Sequence, residues 1–265
     1  MEIAGYIASV IIGISLGLIG GGGSILTVPV LVYLFKVDPV LATAYSLFIV
    51  GATSLVGAVP KYRQGLVNLK TAVIFGIPAI AAVYATRKFI VPAIPQEVFT
   101  LAGISFTKPL LLMLLFAVLM VFASYSMITG KESTTNGNEE PQKFNYPLIL
   151  AEGLVVGILT GLVGAGGGFL IIPALVLLSK LPMKQAVGTS LLIIAAKSLI
   201  GFLGDVGHQP INWTLLLSVT ALAIGGIFIG NMLSHRISSQ KLKKSFGWFV
   251  LVMGFYIIVK ELLFN

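Results

Sequence analysis

The sequence predicts an all-α, polytopic membrane protein built from two inverted-topology repeats of about five hydrophobic helical segments each. Composition gives the class: 57% of residues are hydrophobic and only 10% charged, with a mean hydropathy of +1.03, whereas a soluble domain carries about 25% charged residues. The chain also repeats itself. Shifted by 144 positions, Gly13 to Gly57 matches Gly157 to Gly201 at 21 of 45 residues. Each copy carries a glycine cluster inside membrane-like sequence, Gly20-Gly21-Gly22-Gly23-Ser24 and Gly164-Ala165-Gly166-Gly167-Gly168. Hydrocarbon tolerates loose backbone only where protein or a water-filled cavity covers it. A duplicated break at matching places therefore points to a binding site between the two halves.

A spanning helix needs about 20 mostly apolar residues. Eight runs qualify or come close: Ile3 to Ile19, Pro39 to Val59, Thr71 to Thr86, Pro109 to Ile128, Pro147 to Val163, Gln185 to Leu203, Trp213 to Asn231 and Phe246 to Phe264. Two more, Ser24 to Phe35 and Gly168 to Ser179, start at the glycine clusters and are only 12 residues long. At about 18 Å each they are too short to cross alone, and they read as broken helices at equivalent repeat positions. Five segments per half is an odd number, so the second copy enters from the opposite side. The expected organisation is a first membrane repeat over residues 1–129, a polar cytoplasmic linker over 130–146 and a second membrane repeat over 147–265. Gly130 to Asn145 is rich in Gly, Asn, Ser, Thr and Pro without apolar periodicity, as expected of a connecting segment.

Loop charge agrees with inversion. If Lys61, Arg63 and Lys70 face the cytoplasm, alternation puts eleven basic residues there and leaves five, Lys36, Arg87, Lys88, Lys108 and Lys260, on the other side. The positive-inside rule then places both termini outside. The net charge of +8 belongs to this pattern rather than to a nucleic-acid partner. The first hydrophobic run lacks the basic region and small-residue cleavage site of a signal peptide and is expected to remain in the mature protein.

With no cysteine and two isolated histidines, His208 and His235, neither thiolate chemistry nor a metal centre is expected, and no cofactor. Both histidines read as solvated or interfacial, with a proton-coupling role conceivable for His208. Trp213 and Trp248 read as interface anchors opening helices. For Gly13 with Gly17 and Gly157 with Gly161, close helix packing is the preferred reading. The clusters themselves exceed packing needs, and a glycine-rich turn that opens a helix aims free N–H groups at one point. The candidate anion-binding residues there are Gly20, Gly21, Gly22, Gly23, Ser24, Gly164, Gly166, Gly167 and Gly168.

On the helix after each short segment, Ser190, Ile194, Lys197 and Gly201 share one face, matched by Ser46, Val50, Thr53 and Gly57. Lys197 thus corresponds to Thr53 and breaks the symmetry. A mid-membrane lysine costs about 2.5 to 3.5 kcal/mol on insertion scales and usually faces a cavity or the bundle interior; the alternative is that it snorkels to the interface. Ser24, Ser46, Thr189 and Ser190 can donate hydroxyl hydrogen bonds to an anion, or can bond back to the backbone.

These motifs read GISLGLIGGGGSILTVPVLVYL, ATAYSL and KYRQGLVNLK in the first half, GILTGLVGAGGGFLIIPALVLL and AVGTSL in the second. They resemble the sulfite exporter TauE/SafE family, also called the 4-toluene sulfonate uptake permease family, over nearly the whole chain. One departure is Ala44-Tyr45, where the Gly-Thr kept at Gly188-Thr189-Ser190 would stand. The resemblance implies a transporter of sulfite or small organosulfur anions in a prokaryotic inner membrane, coupled to protons. An anion channel, or a non-transport assembly factor, is the competing reading. No nucleophile and base pair argues for an enzyme.

Overall fold

The structure, a computed structural model, describes residues 2–101, 104–129, 146–177, 181–207, 210–234 and 239–263. The connecting segment at 130–145, His208, His235 and Lys180 lie outside the described residues. Helix α1 spans Glu2–Ile19. The first broken segment follows as a 3₁₀ turn over Gly20–Leu26, a single α-turn α2 over Thr27–Pro29 and a π-turn over Val30–Leu34. Then come α3 (Pro39–Arg63), α4 (Leu69–Ala85), a π-turn (Thr86–Ile90) and the short α5 (Val91–Ala93). Antiparallel strands β1 (Glu97–Leu101) and β2 (Ile104–Thr107) precede α6 (Lys108–Thr129). The second half holds α7 (Tyr146–Val163), α8 (Gly168–Leu177), α9 (Met183–Leu203), α10 (Trp213–Ser234) and α11 (Ser239–Leu263).

Five helical stretches are long and apolar enough to cross a bilayer: Pro39–Arg63, Leu69–Ala93, Lys108–Thr129, Met183–Leu203 and Trp213–Ser234. Shorter apolar helices run over Ile3–Ile19, Gly23–Leu34 and Pro147–Val163. The protein is an all-α membrane protein. Each expected segment has its helix, with three differences. The hairpin β1–β2 is not foreseen by the hydropathy pattern. The segment ending at Thr86 continues through the π-turn to Ala93. Trp248 does not open a helix, because α11 begins nine residues earlier at Ser239.

Polar side chains fix the helix starts. Asp38 Oδ1 accepts from Val40 N at 2.9 Å and Leu41 N at 3.2 Å, with Pro39 in the first turn. Asn68 Oδ1 accepts from Thr71 N at 3.0 Å to open α4, and Asn212 Oδ1 accepts from Leu215 N at 3.1 Å to open α10. These two caps stand 144 residues apart, as do the starts of α1 and α7, and of α3 and α9.

Packing runs across the halves rather than within them: α1 lies on α10, α4 on α7, α3 on α9, and α6 on α11. Glycine makes the close approaches possible. A Cβ on Gly17 would stand 2.6 Å from the Ile227 carbonyl oxygen, and one on Gly157 2.6 Å from that of Ala79. No neighbour can yield there, since the obstacle is backbone. One buried cluster, including Ile12, Ile25, Val50, Phe75, Phe116, Phe169 and Ile194, is continuous through both halves.

Candidate functional site

The two glycine clusters meet at the centre of the molecule. A Cβ on Gly168 would fall on the Gly21 backbone, and one on Gly21 would fall on Gly168, so the first broken segment crosses α8 with no side chain between them. Left-handed backbone makes these turns: φ is +71° at Gly20 and +73° at its counterpart Gly164, with +64° at Gly166 and +65° at Gly167. An L-residue pays roughly 1–2 kcal/mol for that conformation. Glycine is therefore required by the fold at these points, whatever else it does.

Each turn rests on the central helix of the other half. Gly164 touches Thr43 and Gly166 touches Val50 of α3, while Gly20 touches Val187 and Gly21 touches Ile194 of α9. Ser46 lies on the α3 face between Thr43 and Val50, is fully buried, and its Oγ has no hydrogen-bond partner among the described residues. Ser24 and Ser190 are engaged locally, Ser24 Oγ donating to the Gly21 carbonyl at 2.7 Å and Ser190 Oγ to that of Val187 at 2.8 Å. Thr189 Oγ1 accepts from the Asn68 backbone N–H at 2.9 Å. Gly21 and Gly168 thus meet, and Gly164, Gly166 and Gly20 lie against α3 and α9, while three of the four expected hydroxyls are engaged with backbone groups.

Lys197 points inward. Its side chain is fully buried, its Nζ donates to Thr160 Oγ1 at 2.8 Å, and a Cβ on Gly167 would stand 2.8 Å from Nζ. The snorkelled arrangement is not the one adopted. The ammonium has three protons to place, and Thr160 is the hydrogen-bond acceptor that meets it among the described residues.

Arg87, a loop charge of the outer side by sequence, is instead fully buried. The helix does not stop at Thr86, because the apolar run Phe89 to Ile94 carries it on through the π-turn. Nη1 donates to Thr43 Oγ1 at 3.0 Å and lies 3.5 Å from Asp205 Oδ1. Lys108, also counted as a loop charge, is only 6% exposed. Tyr45, the departure from the Gly-Thr-Ser pattern, carries a contact of its own. Its hydroxyl accepts from the Asn212 backbone N–H, the counterpart of the Asn68–Thr189 bond. The ring extends the reach of the hydroxyl where the matching residue is threonine, so the departure at Ala44-Tyr45 preserves the polar contact.

The family model described as "Sulfite exporter TauE/SafE" matches residues 6–257. A "Probable membrane transporter protein" of Xylella fastidiosa (strain 9a5c) is 29% identical over 252 residues, covering 94% of this chain and 91% of its own length. Two Bacillus subtilis (strain 168) proteins with the same description are also similar. YdhB is 25% identical, with 89% of this chain and 91% of its own covered, and YjnA is 26% identical, with 97% and 100% covered. No solved structure matches. With crossed glycine turns, all-helical architecture and a family match over nearly its whole length, the chain belongs to the sulfite exporter TauE/SafE family of membrane transporters.

Proposed function

We propose that the protein is a secondary transporter that carries small oxyanions, sulfite or organosulfonates, across the inner membrane by proton-coupled alternating access around the crossed glycine turns. The observation that carries this reading is the buried Lys197 ammonium beside Gly167, met by one hydroxyl. A buried charge left unpaired costs several kcal/mol, and a bound anion supplies the opposite charge. Ser46, whose hydroxyl has no partner among the described residues, and the N–H groups of the turns are the accompanying donors. The sulfur chemistry rests on the family likeness.

The inverted arrangement, with both termini outside, is supported by the division of basic residues, eleven on one side against Lys36, Lys88 and Lys260 on the other once the buried Arg87 and Lys108 are set aside. Proteoliposome flux tests the proposal: saturable sulfite or methanesulfonate uptake that responds to a pH gradient is expected. An ohmic anion current would replace the carrier with a channel, and absence of flux would remove transport of these anions.

A further inference from the structure

Arg87 holds a second, differently shaped opportunity for an anion. Its guanidinium is fully buried, yet Nε and Nη2 make no hydrogen bond to any described residue. Those two nitrogens form the side-on edge of the guanidinium, whose parallel N–H groups match two oxygens of one anion. Such an edge, buried and idle, is an unsatisfied group that calls for a reason. The remaining contacts hold the edge in place without using it. Nη1 is anchored on Thr43 Oγ1 at 3.0 Å and pairs with Asp205 Oδ1 at 3.5 Å, and Gly204 leaves room for the stem, a Cβ there falling 2.9 Å from Arg87 Cβ.

The position is as telling as the edge. Thr43, the anchor of Arg87, touches Gly164, while Nζ of Lys197 lies against Gly167. The two cations therefore stand at opposite ends of the same glycine turn. Shifting by 144 positions gives the corresponding residues around Gly20 to Gly23: Asn231 for Arg87, Val187 for Thr43 and Thr53 for Lys197. None of these is charged. The asymmetry of the molecule is concentrated at one of its two turns.

We infer that the Nε–Nη2 edge of Arg87 is a second oxyanion subsite, taking a sulfonate, sulfite or carboxylate through two oxygens, at the end of the Gly164–Gly167 turn opposite Lys197. The inference rests on the proposed function only for the class of anion.

The test is calorimetric titration of the purified full chain with methanesulfonate, sulfite and chloride. In Lys197→Met, weak methanesulfonate binding should persist and exceed chloride binding by at least about tenfold, since a spherical ion cannot use a two-pronged edge. Adding Arg87→Lys should abolish that residual binding and the preference, although charge is retained. Asp205→Asn should tighten it several-fold, because the carboxylate competes for the same cation; this variant decides the matter if Arg87→Lys fails to fold. A double variant that binds methanesulfonate as Lys197→Met does, or an Asp205→Asn variant with unchanged affinity, overturns the subsite and leaves the central proposal standing. Binding unaffected by Lys197→Met but lost in Arg87→Lys removes the central role of Lys197 and retains the subsite. A parent protein that binds none of the three anions overturns both.

Discussion

At the scale of single residues, Lys197 and Tyr45 separate ligand chemistry from scaffolding. If the ammonium offsets substrate charge, Lys197→Met should weaken sulfite binding by about 1.5–3 kcal/mol, roughly ten- to over a hundredfold. Thr53→Val, at the equivalent and likewise buried position, should do far less; equal small effects in calorimetry would take Lys197 out of the site. Tyr45→Phe acts differently. It leaves the Asn212 N–H without its acceptor, and about 1–3 kcal/mol of stability should go with it. Unfolding in denaturant should show that loss, with anion affinity unchanged. Thr189→Val should match it if the two bonds are the counterparts they look to be; an added loss of affinity in Thr189→Val alone would assign that hydroxyl to the substrate too.

The helices themselves were largely readable from hydropathy, and the reason is physical. A bilayer forces long apolar runs, so the segment list lies close to the surface of the sequence, whereas the Asn68 and Asn212 caps come from the structure. What hydropathy cannot show is which side of a helix end turns inward. Arg87 follows a spanning run and precedes Lys88, which is the pattern of an interfacial loop, and only the apolar residues after it betray that the helix continues. Thr160 and Thr43 were equally invisible, because their roles depend on Lys197 and Arg87 reaching them from other helices. Adjacent glycines on α10 give a sharp test at this scale. Gly225 is exposed with nothing near the place of its missing Cβ, while a Cβ on Gly226 would strike the Val10 carbonyl. Gly225→Ala should stabilise by about 0.5–1 kcal/mol from helix propensity alone, and Gly226→Ala should destabilise by about 1–3 kcal/mol by overpacking, as read from thermal unfolding. Gly166→Val should be worse than either, combining a left-handed φ with a clash on Val50 Cγ1 at 2.5 Å.

The whole molecule is joined the way laced fingers are, since α1, α3, α4 and α6 each find their main partner in the other half. Cutting the chain between residues 130 and 145 removes none of those contacts, so fragments 1–137 and 138–265 made together should assemble into a binding-competent protein. Either fragment made alone should not. A soluble, monodisperse single fragment that resists proteolysis would contradict this picture.

That lacing has a consequence for how the protein is made. The glycine face of α1 has its partner in α10, more than 200 residues later in the chain. Until then Gly13 and Gly17 look onto lipid, where a bare backbone stripe gains nothing from hydrophobicity and waits for a matching surface. Within the first half α1 therefore stays without its partner until α10 is made, and stoppage of translation before that point leaves a product for quality control to remove rather than a smaller working protein. Since α4 finds α7 and α3 finds α9 earlier, what waits for the last stretch of synthesis is the closing of α1 on α10 and of α6 on α11.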